Sequence, residues 1–148
     1  MAVRKAYSIG FVKHRAKDFF ETLRDSGIQR LIDVRLNNSS QLAGFTKRED
    51  LPYFLNTICG IEYTHNDLLA PTKEILDGFK KLKGAWEDYE TVFQRLMTER
   101  RIETQIDPSL FDIPTVLLCS EETAENCHRR LVLEYLNSKW GDLEIVHI

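Results

Sequence analysis

Cys119 and Glu121, followed by Cys127, His128, Arg129 and Arg130, place thiols, a carboxylate, an imidazole and guanidinium groups in one short stretch. This combination suits nucleophilic chemistry. A thiol attacks as its thiolate, and a helix N-terminus or a nearby cation favours that form. Cys119 is the candidate nucleophile, with Glu121 and His128 as candidate proton-transfer partners. Cys127 lies either in the first turn of a helix or towards the core. Arg129 and Arg130 have the donor geometry for bidentate binding of phosphate or carboxylate. The structural alternative is that the cysteines are small buried hydrophobes, the usual fate of a free thiol. Basic residues in a first helical turn oppose the helix dipole unless something negative offsets them. Either Glu121, Glu122 and Glu125 or a bound anion would do so.

The same residues are also of metal-ligand type. Cys119, Cys127 and His128 offer soft and borderline donors, with Glu121 or His65 as a fourth. Their spacing argues against a metal. Cys-x7-Cys-His is not a usual structural zinc pattern, and consecutive helical residues point about 100° apart. No metal and no cofactor is therefore assigned.

Asp33 and Arg35 form a second candidate pair, alternating with Val34 at the end of an apolar run. A charged aspartate in such a run must be paired or hydrogen-bonded. Asp33 is expected to be buried against Arg35, Arg129 or Arg130. From sequence, a structural ion pair and a ligand clamp look alike. In the clamp, Arg35 binds the anion, Asp33 orients an arginine or acts as base, and Ser40 adds a hydrogen bond from the polar loop after the strand. His65 is a weaker candidate at the end of a later strand, and His147 a weaker one still.

These residues need elements to hold them. Apolar runs predict strands over 6–11, 30–35, 61–65, 115–119 and 143–148. Helical periodicity predicts helices over 16–26, 47–59, 72–83, 85–101 and from about 127 to 140. Pro52 is tolerated only in a first turn, which moves the second helix start to about Asp50. Leu51, Phe54, Leu55 and Ile58 are expected to face inward, as are Tyr89, Val92, Phe93 and Leu96. Strands alternating with helices predict a three-layer, Rossmann-like α/β domain with a mainly parallel sheet, residues 1–148 forming a single domain. The strands at 30–35 and 115–119 are expected to be parallel near-neighbours ending at one edge. Ligands of open α/β sheets bind at that edge. The strand order is not readable.

Composition narrows the function. The 148 residues carry a net charge of −3, so no global basic surface advertises nucleic acid. No apolar run approaches the roughly 20 residues that span a membrane, and the opening residues lack a signal-peptide core. Three cysteines, an odd number without framework spacing, fit a reducing cytosol. There is no Gly-x-Gly-x-x-Gly, Walker loop, Gly-x-Ser-x-Gly or His-Glu-x-x-His, so dehydrogenase, kinase, serine hydrolase and zincin readings lose their support.

The chain resembles the prokaryotic domain-of-unknown-function family 488 over nearly its whole length. The resemblance rests on Tyr7 to Gly10, Leu31 to Arg35 with Ser40, Gly44 and Phe45, Ile61 to Tyr63, Leu117 to Glu121, Cys127 to Arg129 and the closing Val146 to Ile148. Cys-x-Glu followed by Cys-His-Arg is its most specific part. Phe11, Asn38 and Gln41 depart from the family pattern. The resemblance implies the α/β fold and the location of the site, but no substrate. The expected function is binding of an anionic small molecule or nucleic-acid phosphate at the strand ends, with or without cysteine catalysis. The alternative is a non-catalytic module for a protein or nucleic acid, with a structural Arg/Asp/Glu network. No membrane partner is expected.

Overall fold

The strands β1 (Arg4–Gly10), β2 (Arg30–Asp33), β3 (Glu62–His65), β4 (Thr115–Cys119) and β5 (Leu143–His147) form one sheet in a computed structural model. The helices are α1 (Ala16–Asp25), α2 (Leu51–Phe54), α3 (Lys73–Lys80), α4 (Trp86–Arg100), α5 (Ile102–Gln105) and α6 (His128–Trp140). The structure describes residues 3–36, 44–80, 85–120 and 127–148. All strand pairs are parallel, in the order β3-β2-β4-β1-β5.

The centre of the sheet explains the apolar run at β4. It lies between β2 and β1, and all its residues are buried. A parallel strand covered on both faces has no solvent side to signal with polar residues. Successive side chains alternate between those faces. Ile9, Leu31, Val116 and Leu118 pack with Phe19, Phe20 and Leu23 of α1 and Leu51 of α2. Ala6, Ile32, Leu117 and Cys119 pack with Phe93 and Met97 of α4 and Leu131, Val132 and Leu136 of α6. A helical layer therefore covers each face, giving the three-layer α/β fold.

The connections set the site. The chain leaving β1 enters α1 on one face, while the chain leaving β4 enters α6 on the other. Adjacent strands whose connections diverge in this way open a crevice at their carboxyl ends. β2 is the other neighbour of β4, with Asp33 level with Leu118. The expected parallel pairing of these strands, with polar residues at one edge, is what the sheet has.

Some boundaries differ for physical reasons. β2 stops at Asp33 because the Asp33 carboxylate takes the Arg35 backbone N–H at 3.1 Å. A side chain that competes for a backbone donor ends a ladder. Pro52 occupies the first turn of α2, as anticipated, but a π-helical segment, Leu55–Cys59, follows. The changed winding leaves Ile58 46% exposed while Leu51 and Leu55 stay buried. In α4 the buried stripe runs Tyr89, Phe93, Met97, and Val92 is 40% exposed. Between α5 and β4 lies a 3-10 turn, Pro108–Phe111, whose Phe111 is buried. Gly27 and Gly141, at φ +73° and +79°, take left-handed turns after α1 and α6 that suit glycine. Residues 81–84, expected to end one helix, lie outside the described residues. Among the described residues, no helix is long and apolar enough to cross a membrane.

The position of the α4 stripe can be tested by urea denaturation. Phe93→Ala should cost about 3–5 kcal/mol, the usual loss for a buried phenylalanine. Val92→Ala should stay within about 0.5 kcal/mol, as surface changes do.

Candidate functional site

The end of β2 carries a buried ion pair. Asp33 is 0% exposed and Arg35 3%. Arg35 donates from Nε to Asp33 Oδ1 at 2.9 Å and from Nη2 to Oδ2 at 2.8 Å. Tyr63 on β3 donates its hydroxyl to Oδ2 at 2.6 Å. Arg35 Nη2 also reaches the Thr46 carbonyl at 2.6 Å, and the guanidinium lies 5.3 Å from the centre of the Phe11 ring. The bidentate fork answers the requirement that a buried carboxylate be paired and hydrogen-bonded.

The end of β4 carries a different group. Cys119 Sγ lies 3.3 Å from His128 Nδ1 at the start of α6. His128 Nε2 lies 2.7 Å from the Val34 carbonyl, just beyond β2. A carbonyl only accepts, so Nε2 carries the proton and Nδ1 faces the sulfur. The imidazole also meets the Phe93 ring edge-on, with centroids 5.5 Å apart. Cys127 precedes α6 as its N-cap, with extended backbone at φ −136° and ψ 140°. The donor atoms of Cys119, Cys127 and His128 all lie within 4.8 Å of one another.

Arg129 joins this group from the next position. It is 1% exposed and donates from Nε to Ser8 Oγ at 3.1 Å. Ser8 in turn pairs with His147 Nδ1 on β5. Gly10 is level with Cys119, and Ser8 alternates with it, so Ser8 and Cys119 share a face. Burial, and then the Arg129 charge, hold His147 below the ordinary imidazole range. That keeps the ring neutral and Nδ1 able to accept the Ser8 proton.

The thiols are driven apart in acidity. Burial pushes Cys119 up, and its hydrogen bond to Cys127 and the charge of that sulfur push it further, well above the ordinary thiol value. Burial also pushes Cys127 up, but its hydrogen bond with Cys119 and its interactions with His128 and Arg129 reverse this. Cys127 ends well below the ordinary value. Within the pair Cys119 is therefore the weaker acid and Cys127 the stronger.

The two polar groups share an edge but not a face. Asp33 is level with Leu118, so its side chain lies on the α1 side, whereas Cys119 lies on the α4–α6 side. Among the described residues, they are linked through the Val34 main chain, to which His128 bonds. Asp33 and Arg35 therefore pair with each other, away from the sulfur atoms. Arg130 turns to Glu134 at 3.0 Å and Glu90 at 3.5 Å. His65 meets the Arg35 carbonyl and Asp67, apart from the cysteines. Glu121 and Ser40 lie outside the described residues, as do Asn38 and Gln41. Sequence reasoning gave Ser8 no role of its own and weighed Tyr63 only for packing or for stacking a base. The available signal for Ser8 was a hydroxyl in the strand preceding Gly10; Tyr63 needed the β2–β3 register.

Residues 15–136 match the family model described as Domain of unknown function DUF488, and the chain belongs to that family. No curated protein and no solved structure matches it.

Two measurements check this geometry. Asp33→Ala should cost roughly 3–5 kcal/mol in chemical denaturation, because it strands a buried guanidinium. Thiolate absorbance of the reduced, chelator-treated chain should titrate in a step below the ordinary thiol range that disappears in Cys127→Ser. Cys119→Ala should move that step upward by removing the donor to Cys127. A single step at ordinary thiol values would contradict the assignment.

Proposed function

We propose that this protein binds an anionic ligand at the carboxyl edge of its sheet and acts on it through the Cys119, Cys127 and His128 group. The observation carrying this reading is the burial of both sulfurs, the imidazole and the Arg129 guanidinium together, where the connections after β1 and β4 diverge. That is where Rossmann-like sheets take ligands. Phosphate, as in a nucleotide or nucleic acid, is the ligand class that suits arginine and the first turn of a helix. The division of labour in this reading is supported by the opposite directions in which the two thiols are pushed, and it moves the nucleophile from Cys119, the candidate from sequence, to Cys127. Cys127 is the nucleophile and Cys119 supplies its hydrogen bond. His128 is the proton carrier, at Nδ1, and Arg129 holds negative charge beside the sulfur. Glu121 belongs to the same reading as a further proton-transfer partner. The three cysteines are free thiols, as a cytosolic protein would keep them.

One set of contacts favours a second reading, a non-catalytic protein- or nucleic-acid-binding module. Arg35 is committed to Asp33, and Arg130 to Glu134 and Glu90, so these arginines have structural work. Titration with inorganic phosphate, nucleotides and a short oligonucleotide separates the readings. The anion reading expects a saturable rise in thermal stability, equivalent to about 2.7 kcal/mol at a hundred times the dissociation constant. The same ligand should protect Cys127 from alkylation. The rise should weaken in Arg129→Lys, whose ammonium keeps the charge but loses the fork. Absence of both the shift and the protection would leave the module reading in its place.

A further inference from the structure

We propose that Cys119, Cys127 and His128 form a binding site for a thiophilic divalent cation of the zinc class. This goes beyond the anion reading and does not depend on it.

The donor set is the first support. Two sulfurs and an imidazole nitrogen, all on residues at most 7% exposed, lie within 4.8 Å of one another. Tetrahedral zinc, with bonds of about 2.3 Å to sulfur and about 2.0–2.1 Å to nitrogen, spaces such donors by roughly 3.5–3.8 Å. The cluster is already at that scale, with Cys119 Sγ and His128 Nδ1 at 3.3 Å. Closing three atoms around an ion therefore needs side-chain rotation rather than backbone movement.

Orientation of the imidazole is the second. Metal-bound histidines commonly donate their other N–H to a carbonyl, which fixes both ring and tautomer. His128 Nε2 has that contact with the Val34 carbonyl at 2.7 Å, leaving Nδ1 towards the sulfur. The carbonyl comes from β2, so the ring is held from outside its own helix.

The third support removes the spacing objection. Consecutive residues on a helix diverge by about 100°. Cys127 is not on the helix; its extended N-cap backbone lets its sulfur turn back towards the ring that follows it. Cys119 reaches the same point from the end of β4. The ion takes the place of the thiol protons, which leave to solvent, and binds Nδ1 through its lone pair. Two thiolates then balance a divalent charge. Three protein donors are what catalytic zinc sites use, the fourth position being taken by water or substrate.

The test uses the full reduced chain, treated with chelator and titrated with Co2+ under anaerobic conditions without added anions. The expected result is one equivalent of bound cobalt, with a thiolate-to-cobalt charge-transfer band and the intense visible bands of tetrahedral cobalt. Zn2+ should displace both. Cys127→Ser and Cys119→Ser should each lose most of the charge-transfer intensity. Cys59→Ser, which changes the remaining cysteine, should keep it. Native mass spectrometry of the wild type gives the stoichiometry even if a variant fails to fold. Absence of a tetrahedral spectrum in the wild type, or a spectrum that survives in Cys127→Ser and vanishes in Cys59→Ser, overturns the proposal. Because no anion is present, failure here leaves the phosphate titration unaffected, and the converse also holds.

Discussion

A carboxylate with no exposure to solvent must find its counter-charge and hydrogen-bond donors inside the protein, and Asp33 meets that demand at the end of β2. Its partners fix the main chain there. Arg35 gives it a fork and a backbone N–H, and Tyr63 a hydroxyl. The ladder consequently stops, and the Val34 carbonyl is left facing the other side of the sheet, where His128 takes it. The imidazole that faces Cys119 is thus positioned by an ion pair on the opposite face. Asp33 contributes to the thiol site through the backbone, without touching a sulfur.

The thiol site follows the same logic of mutual satisfaction. Two buried sulfurs this close cannot both carry a full negative charge without a cation, and their surroundings push their acidities in opposite directions. Histidine and arginine at the opening of α6 make the charged form tolerable. They are also residues that a helix dipole would otherwise disfavour in its first turn. Their presence makes sense when the neighbouring sulfur supplies negative charge. The run Arg129, Ser8, His147 extends the polar contacts under β1 to the edge strand β5.

The sheet order explains why these groups meet. β4 is inserted between β2 and β1, although it follows both in sequence by a long interval. Parallel strands put all their carboxyl ends at one edge, and side-chain alternation then deals the polar residues to one face or the other. Asp33 and Cys119 fall on opposite faces through a register set by that insertion. The shared edge is a property of parallel topology; the separate faces are a property of register.

Local sequence determined the strands, most helices and the edge where polar side chains collect, because apolar periodicity and turn residues act over a few positions. The central strand at Thr115–Cys119 was legible because burial on both faces removes every polar residue from it. The demand of Asp33 for an arginine was legible too, because an unpaired buried charge is too costly to keep. The choice of Arg35 over Arg129 or Arg130 was not, since it depends on where the chain turns after the strand. Val92 and Ile58 were placed inward by an ideal helical phase that α4 packing and the π segment changed. Only tertiary structure decided that Cys127 sits on extended backbone, that His128 is held by Val34, and that Ser8 and His147 join the site. Each is a contact between residues remote in sequence or a backbone angle at an element boundary, and no local periodicity encodes either.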